Sequence, residues 1–243
     1  MNELIDKIKQ NGYWKIVIRP AEFIENRISS REECKRLIEE NQIRLRGWYY
    51  PHIDGNKGIV FSGNDNVSSS CNWEEGGTFE YWKFYQNGQF IHYLGMIEDY
   101  RLSDKDKRAT ADSVRLTNVD SPTFLSIINV LYLVTEAFYF AAKLAKKDML
   151  GEDAQIEIEL GNVYKRTLFF WGEVRLLFNP YTCEFDSGEN IVKKVQVSKT
   201  GLVENHAALA LDTTIDILKD FGWYDVNKSI FAEDQKKLLE RRL

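Results

Sequence analysis

The residues of this sequence best suited to chemistry lie in a basic and aromatic stretch, RLRGWYYPHID, at positions 44–54. Arg44, Arg46 and Trp48 occupy alternate positions, so they would share one face of an extended chain. Together with His52 they would form a cationic and aromatic surface that binds an anion or a stacked base. The structural alternative is that the aromatic rings pack in the core while the arginines pair with nearby acids, and we favour it.

A second group of side chains could bind a metal or transfer protons. His52 and His92 could meet across adjacent strands and ligate a metal, because imidazole nitrogens are common metal ligands. Asp54 or Glu98 would complete such a site. Glu98 is followed directly by Asp99, and two neighbouring carboxylates suit acid–base or two-metal chemistry. Structural histidines and a solvated acidic edge are the simpler interpretation, which we favour, so no resident metal or cofactor is expected.

Two further acids stand apart from these. Glu80 could join the carboxylate group, although its spacing from any lysine does not match a familiar nuclease pattern. Glu136 is the single charge in an apolar run at 124–142. Because an unpaired buried carboxylate is costly, Glu136 needs a partner or a raised pKa. Arg44 or Arg46 is the predicted counter-ion, and a structural ion pair is favoured over a catalytic acid.

The clearest local structure signal is an aromatic hairpin between Trp73 and Arg101. The dipeptide Asn87-Gly88 predicts a type I′ turn between strands at 78–86 and 89–97, since both residues tolerate positive φ. Two glutamines flank the turn and could pair across the hairpin. The candidate binding residues on and after this hairpin are Trp82, Gln86, Gln89, His92, Glu98 and Asp99.

Composition describes an ordinary folded chain of 243 residues, with 44% hydrophobic and 28% charged residues and a net charge of −5. This balance does not favour a general electrostatic grip on nucleic acid. Three widely separated cysteines and a charged, amphipathic N-terminal sequence predict a reducing, cytoplasmic location without a secretory signal. The apolar run at 124–142 approaches the length of a membrane span, but we interpret it as a buried central helix. No nucleophile elbow, P-loop or dinucleotide motif is present in the sequence, so catalysis is not expected, although it stays open.

The order of elements predicts an α+β fold, mainly of antiparallel sheets packed on the long central apolar helix and on C-terminal helices. We expect one integrated domain over 1–243, with two packed α+β halves, 1–118 and 119–243, as the alternative. The polar stretches 62–72 and 103–113 are predicted loops. Proline at position 122 predicts the start of the central helix. The other expected elements are a strand at 173–178 and C-terminal helices at 203–221 and 229–241.

Three blocks of the chain resemble an uncharacterised bacterial family. They are an RGW-x-(F/Y)-PH-(I/V) block at Arg46–Ile53, a W-x-x-Y-Q-x-G-Q-F block running on to an acidic pair at Trp82–Asp99, and a closing block at Thr200–Trp223. The similarity spans nearly the whole chain, which implies one integrated unit. The family has no established activity, so the resemblance implies no catalytic residue. It does suggest a link to anti-phage defence.

These observations lead to one main functional hypothesis and two alternatives. The first is an intracellular, non-catalytic interaction protein that is an accessory subunit of a bacterial complex, with a protein partner and no membrane contact. The second is a metal-dependent enzyme acting on nucleic acid or nucleotides through His52, His92, Glu98 and Asp99. A sensor that binds a small ligand in an aromatic pocket is the third. The oligomeric state stays open.

Overall fold

The computed structural model describes residues 3–53, 55, 57–116, 122–171, 175 and 177–242. These residues form helices α1 (Glu3–Ile8), α2 (Arg31–Asn41), α3 (Ile97–Arg101), α4 (Asp104–Ser113), α5 (Ile127–Lys146), α6 (Lys199–Lys219) and α7 (Lys228–Leu239). They also form strands β1 (Tyr13–Pro20), β2 (Val60–Ser62), β3 (Asn66–Trp73), β4 (Thr78–Tyr85), β5 (Phe90–Gly95), β6 (Thr123–Ser126), β7 (Asp153–Gly161), β8 (Arg166–Phe169) and β9 (Ile191–Ser198).

Seven of these strands make one antiparallel sheet in the order β2-β3-β4-β5-β1-β7-β9. Strand β1 lies between β5 and β7, and its Ile16 lies opposite His92 of β5 and Ile158 of β7. Residues directly opposite each other on neighbouring strands point to the same face of a sheet, so Ile16, His92 and Ile158 share one side. All three are buried, so this is the core side. Strands β6 and β8 form a separate parallel pair. The predicted α+β fold is confirmed, and the large sheet takes strands from both sides of residue 119.

Helix α5 is the central helix, and most of its side chains are buried in the core. Its length and composition would allow it to span a membrane, but its burial is that of a core helix in a soluble protein. The predicted start at residue 122 is wrong, because residues 123–126 form β6. The helix begins at Ile127, where the Ser126 hydroxyl accepts a hydrogen bond from the Asn129 amide at 3.4 Å. An N-terminal cap of this kind satisfies a free backbone donor.

The two predicted C-terminal helices are present and pack against α5, although each begins earlier than expected. Helix α6 begins at Lys199 because the Ser198 hydroxyl accepts from the Gly201 amide at 3.1 Å. Gln235 of α7 donates from Nε2 to Thr135 Oγ1 of α5 at 3.0 Å and to the Ala207 carbonyl of α6 at 2.9 Å. One buried amide therefore links the three helices.

Two predicted loops are regular elements. Residues 66–73 form β3, which pairs with β4 along its whole length, so the predicted loop at 62–72 is wrong. Ser68 and Ser69 of this strand are buried, although polar residues of this kind are more typical of an exposed loop. The predicted loop at 103–113 is also wrong, because residues 104–113 form helix α4. This helix begins with a capping box between Ser103 and Asp106. The predicted strand at 173–178 lies largely outside the described residues.

The hairpin of β4 and β5 is confirmed, but the predicted type I′ turn is wrong. Only Gly88 has positive φ, at 88°, and Asn87 does not. The Gly88 amide donates to the Tyr85 carbonyl at 2.9 Å, and the Tyr85 amide donates to the Gln89 carbonyl at 2.9 Å. This pattern is a three-residue loop that ends in a left-handed glycine, the second common way to join two strands.

Candidate binding pocket

A pocket of about 210 Å³ lies between the segment that follows α2, the end of β3, helix α3 and the first turns of α5. Its walls are mainly apolar and aromatic, with a few charged and polar side chains. The aromatic and ionisable or amide-bearing residues that line it are Trp14, Arg46, Trp48, His52, Cys71, Trp73, Phe79, Glu80, Glu98, Arg101 and Asn129. Of the candidate binding residues predicted from the sequence, Arg46, Trp48, His52 and Glu98 are in this set.

A tight turn places Arg46 and Trp48. Ile43 and Tyr50 exchange backbone hydrogen bonds of 2.9 and 2.7 Å, which close the loop between them. Inside it the Trp48 amide donates to the Arg46 carbonyl at 2.8 Å, a three-residue turn centred on Gly47, whose φ is 79°. The prediction that this segment is extended is therefore wrong, because a left-handed glycine reverses the chain.

Arg46 is fixed by the buried acid of the central helix. Its Nε donates to Glu136 Oε1 at 3.1 Å, and its Nη2 pairs with Glu136 Oε2. The guanidinium carbon lies 4.9 Å from the centre of the Trp48 ring. Burial raises the pKa of Glu136, and the charge and hydrogen bonds of Arg46 oppose that rise. The predicted counter-ion of Glu136 is confirmed, and Arg46 is the arginine that fills the role.

The two histidines have separate environments. His92 is fully buried, and its Nε2 lies 3.3 Å from Glu80 Oε2 while its Nδ1 lies 3.4 Å from the Tyr50 hydroxyl. Burial raises the pKa of that tyrosine well above its usual value. His52 lines the pocket, and its backbone carbonyl accepts a hydrogen bond of 2.6 Å from Trp82 Nε1. His92 is thus a structural histidine that pairs with Glu80, whereas His52 borders the pocket.

The adjacent acids of α3 also serve different partners. Glu98 Oε1 accepts hydrogen bonds of 2.9 Å from the Ser126 amide and from Asn129 Nδ2. Burial raises the pKa of this carboxyl group, although both hydrogen bonds act against the shift. Asp99 instead forms a two-point ion pair with the buried Arg166, with oxygen–nitrogen distances of 2.8 and 2.7 Å. Glu98 is a pocket residue, and Asp99 is a structural one.

The predicted metal-ligand set does not come together. Within the described ranges, no group of three or more histidine, cysteine, aspartate or glutamate side chains is arranged to hold a metal. His92 and Asp99 are engaged elsewhere, and Asp54 lies outside the described residues. The geometry therefore gives no support to a metal site built from His52, His92, Glu98 and Asp99.

The remaining hairpin candidates lie away from the pocket. Trp82 is fully buried in the core and contributes to the site only by its hydrogen bond to the His52 carbonyl. Gln86 donates from Nε2 to the Ile28 carbonyl at 3.1 Å, so it does not pair with Gln89 as expected. Gln89 lies in a shallow depression near the turn. We assign none of these three residues to the pocket.

Arg44 lies in a second concavity, which we call the arginine groove. It has a volume of about 670 Å³ and is lined by Arg44, Leu45, Arg46, Gly47, Trp48, Asn129, Tyr132 and Arg241. Three of these residues, Arg46, Trp48 and Asn129, also line the pocket, so the two cavities adjoin. The lining contains three arginines and no acidic residue.

Sequence reasoning missed Trp73 and Arg101 as parts of the site. Trp73 lies over the β3–β4 turn, where a Cβ on Gly76 would be 2.2 Å from its ring. Arg101 donates from Nε to the Gly76 carbonyl at 2.6 Å. The adjacent glycines at 76 and 77 were the available signal, because a turn without side chains leaves room for an aromatic ring.

Comparison of the chain with protein-family models, with curated proteins and with solved structures finds no match in any of the three. The resemblance to an uncharacterised bacterial family therefore stays a prediction. Functional inference depends on the geometry of the pocket and of the arginine groove.

Proposed function

We propose that the protein is a non-catalytic binding protein that works in the cytoplasm as an accessory subunit of a bacterial complex. The observation that carries this proposal is the pair of tryptophans that line the pocket. Trp48 is 47% exposed and Trp73 is 56% exposed. Tryptophan and arginine are the residue types most often responsible for binding energy in protein interfaces. The family resemblance suggests anti-phage defence as the setting.

The two tryptophans are held in place before any partner binds. Trp48 stacks beneath Arg46, which the buried Glu136 anchors. Trp73 packs on the backbone of Gly76, and the Gly76 carbonyl accepts a hydrogen bond from Arg101. A preorganised surface loses little conformational entropy on association, so more of its contact energy appears as affinity. This rigidity favours a binding role.

Two of the predicted catalytic candidates, His92 and Asp99, are held in structural contacts and do not line the pocket. His92 bonds with Glu80 and Tyr50, and Asp99 is committed to Arg166. A general base must reach a substrate proton, yet the side chain of His92 is fully buried behind the pocket wall. The metal-dependent enzyme is therefore the less favoured alternative.

The test is an affinity purification of the tagged full chain from its native host, followed by reconstitution with the purified candidate partner. Four forms are compared: the unchanged chain, Trp48→Ala, Trp73→Ala and the control Tyr224→Ala. Tyr224 is 78% exposed and does not line the pocket, so its loss tests general surface hydrophobicity. Light scattering of the reconstituted complex measures stoichiometry, and calorimetry measures affinity.

We expect one partner at fixed stoichiometry with the unchanged chain and with Tyr224→Ala. Each pocket substitution should weaken the reconstituted complex by about 2 kcal/mol or more, as at an interface hot spot. Equal binding by all four forms would place the partner elsewhere and defeat the proposal. A chain that binds no partner at any stage would defeat it as well.

A further inference from the structure

The pocket and the arginine groove differ in chemistry but share one wall. The pocket offers the indole rings of Trp14, Trp48 and Trp73, whereas the groove offers arginines. The shared wall contains Arg46, Trp48 and Asn129. A ligand that spans both cavities must therefore join a flat, apolar ring to an anionic group. We propose that the two cavities bind a purine mononucleotide, with the base in the pocket and the phosphates in the groove.

The size and lining of the pocket suit a single ring system. Its volume of about 210 Å³ is below the roughly 300–1,000 Å³ of pockets that enclose whole drug-sized ligands. Aromatic side chains stack on any base, and a two-ring purine offers more surface for stacking than a one-ring pyrimidine. The pocket thus accommodates the base and leaves the sugar and phosphates outside.

One buried carboxyl group, that of Glu98, lines the pocket. Glu98 is 2% exposed, and Oε1 receives both hydrogen bonds that the carboxyl group accepts from Ser126 and Asn129. The carboxyl group also accepts a hydrogen bond from the backbone amide of Glu98 itself. Because Glu98 lines the pocket and a carboxyl oxygen can accept more than one hydrogen bond, it is suited to an amino group on the edge of a base.

The groove supplies positive charge that the protein itself does not neutralise. Arg46 is paired with Glu136, but neither Arg44 nor Arg241 forms an ion pair with a described residue. The lining of the groove contains three arginines and no acidic residue, although the net charge of the chain is −5. The planar guanidinium group binds phosphate oxygens in pairs, which makes arginine the usual residue for phosphate recognition.

A few arginines in a chain whose net charge is −5 favour a free nucleotide over a nucleic acid strand as the ligand. A strand would need a row of cations along its backbone, because each contacted phosphate contributes to affinity. Two unpaired arginines beside one ring-sized pocket match one base with its own phosphates. We therefore commit to the mononucleotide and treat the oligonucleotide as an outcome of the test.

The test is calorimetric titration of the purified full chain, without any partner. The probes are ATP, GTP, CTP, UTP, adenosine, guanosine, inorganic triphosphate and a short single-stranded oligonucleotide. The variants are Trp48→Ala and the double variant Arg44→Gln/Arg241→Gln. Their matched controls are Tyr224→Ala and Arg108→Gln, which remove an exposed aromatic ring and an exposed arginine outside both cavities.

We expect at least one purine triphosphate to bind at one site per chain, more tightly than CTP, UTP and inorganic triphosphate. Trp48→Ala should weaken nucleotide and nucleoside binding alike, by roughly fivefold or more. The double arginine variant should weaken the triphosphate and leave the nucleoside unchanged. Both controls should bind as the unchanged chain does.

Three results would overturn the proposal. They are a failure of every mononucleotide to bind, binding of inorganic triphosphate as tightly as of ATP and GTP, and binding of the oligonucleotide in preference to every mononucleotide. Because no partner is present, these results would leave the accessory-subunit proposal intact. In the same way, a failure to find a protein partner in the affinity purification would leave the nucleotide proposal intact.

Discussion

Arg46, on a surface turn, and Glu136, in the middle of the central helix, form a two-point ion pair in which Nε lies 3.1 Å from Oε1. Glu136 is fully buried, so Arg46 supplies the charge that makes its ionised form tolerable. Removing one partner of such a pair leaves an uncompensated buried charge and typically costs about 3–5 kcal/mol. We predict a loss of this size in the free energy of unfolding for Arg46→Ala, measured in urea at neutral pH.

Two comparisons separate this effect from general damage to the turn. Arg44→Ala removes a neighbouring arginine that forms no ion pair with a described residue, and it should cost much less. In a Glu136→Gln background, Arg46→Ala should also cost less, because the substitution then leaves no buried charge without a partner. Equal losses for Arg44→Ala and Arg46→Ala would contradict the prediction.

The sequence was sufficient to predict this pair but not to select the arginine. Glu136 is the only charge in a long apolar run, so a counter-ion was required on physical grounds alone. An extended segment would have put Arg44 and Arg46 on one face and made them equivalent. The chain bends at residues 45–48 instead of continuing as a strand, and Arg46 is the arginine that reaches Glu136. Gly47 has positive φ in this bend, a conformation that a glycine permits without imposing it.

Glu98 should make stability depend on pH. Burial raises its pKa above the ordinary value of 4.5, so the folded state keeps this proton at pH values where the unfolded chain has released it. The stability that Glu98 contributes is therefore fully present below pH 4.5, the ordinary pKa, and is lost as pH rises through the pKa of the folded state. Glu98→Gln keeps the shape and the two hydrogen bonds to its oxygen, but it cannot ionise.

We therefore expect Glu98→Gln to gain stability relative to the unchanged chain as pH rises above about 4.5. The slope should reach at most about 1.4 kcal/mol per pH unit and vanish above the folded pKa. Urea unfolding at a series of pH values gives the two curves, with the exposed Glu75→Gln as control. Glu136 also has a raised pKa, but both proteins contain it, so its effect cancels. Parallel curves for Glu98→Gln and the unchanged chain would refute the prediction.

The ion pair of Asp99 and Arg166 should be the other large electrostatic contribution to stability. Arg166 is 2% exposed, and besides Asp99 it donates to the Phe124 carbonyl at 2.6 Å. Asp99 Oδ2 also accepts from the Gly12 amide at 2.7 Å, so the pair connects the start of β1, α3 and β8. Asp99→Asn leaves the buried guanidinium without its counter-charge, and we expect a loss of about 3–5 kcal/mol in urea unfolding.

The matched control is Glu33→Gln, which breaks an ion pair of similar two-point geometry on the exposed face of α2. Water screens exposed pairs, so this substitution should have a far smaller effect on the unfolding midpoint. Comparable shifts for the two variants would show that burial does not set the strength of the Asp99–Arg166 pair.

The pocket itself was beyond sequence reasoning for a definable reason. Trp14 and Trp73 lie in strands far apart along the chain, and only the pairing register of the sheet brings them to one end. Local pattern predicts that a strand exists, but register depends on packing across the whole sheet. Of the four predicted binding residues that line the pocket, three, Arg46, Trp48 and His52, come from one continuous segment whose members stay close whatever the register is.

Gly47 should control both stability and binding. Its φ of 79° lies in the left-handed region, and an added Cβ would meet no atom within 4 Å, so the cost of Gly47→Ala is purely conformational. We expect a loss of about 1–2 kcal/mol in urea unfolding. Any relaxation of the strained backbone would move Trp48 and Arg46, so affinity for the reconstituted partner should fall as well.

The control is Gly55→Ala, at a glycine that also has free space around it but does not require left-handed φ. Gly55→Ala should leave stability and affinity close to those of the unchanged chain. If Gly47→Ala lowered stability while leaving affinity intact, the turn would be a structural feature without influence on the tryptophan beside it. A fall in both quantities would show that the conformation of one glycine determines where Trp48 meets its ligand.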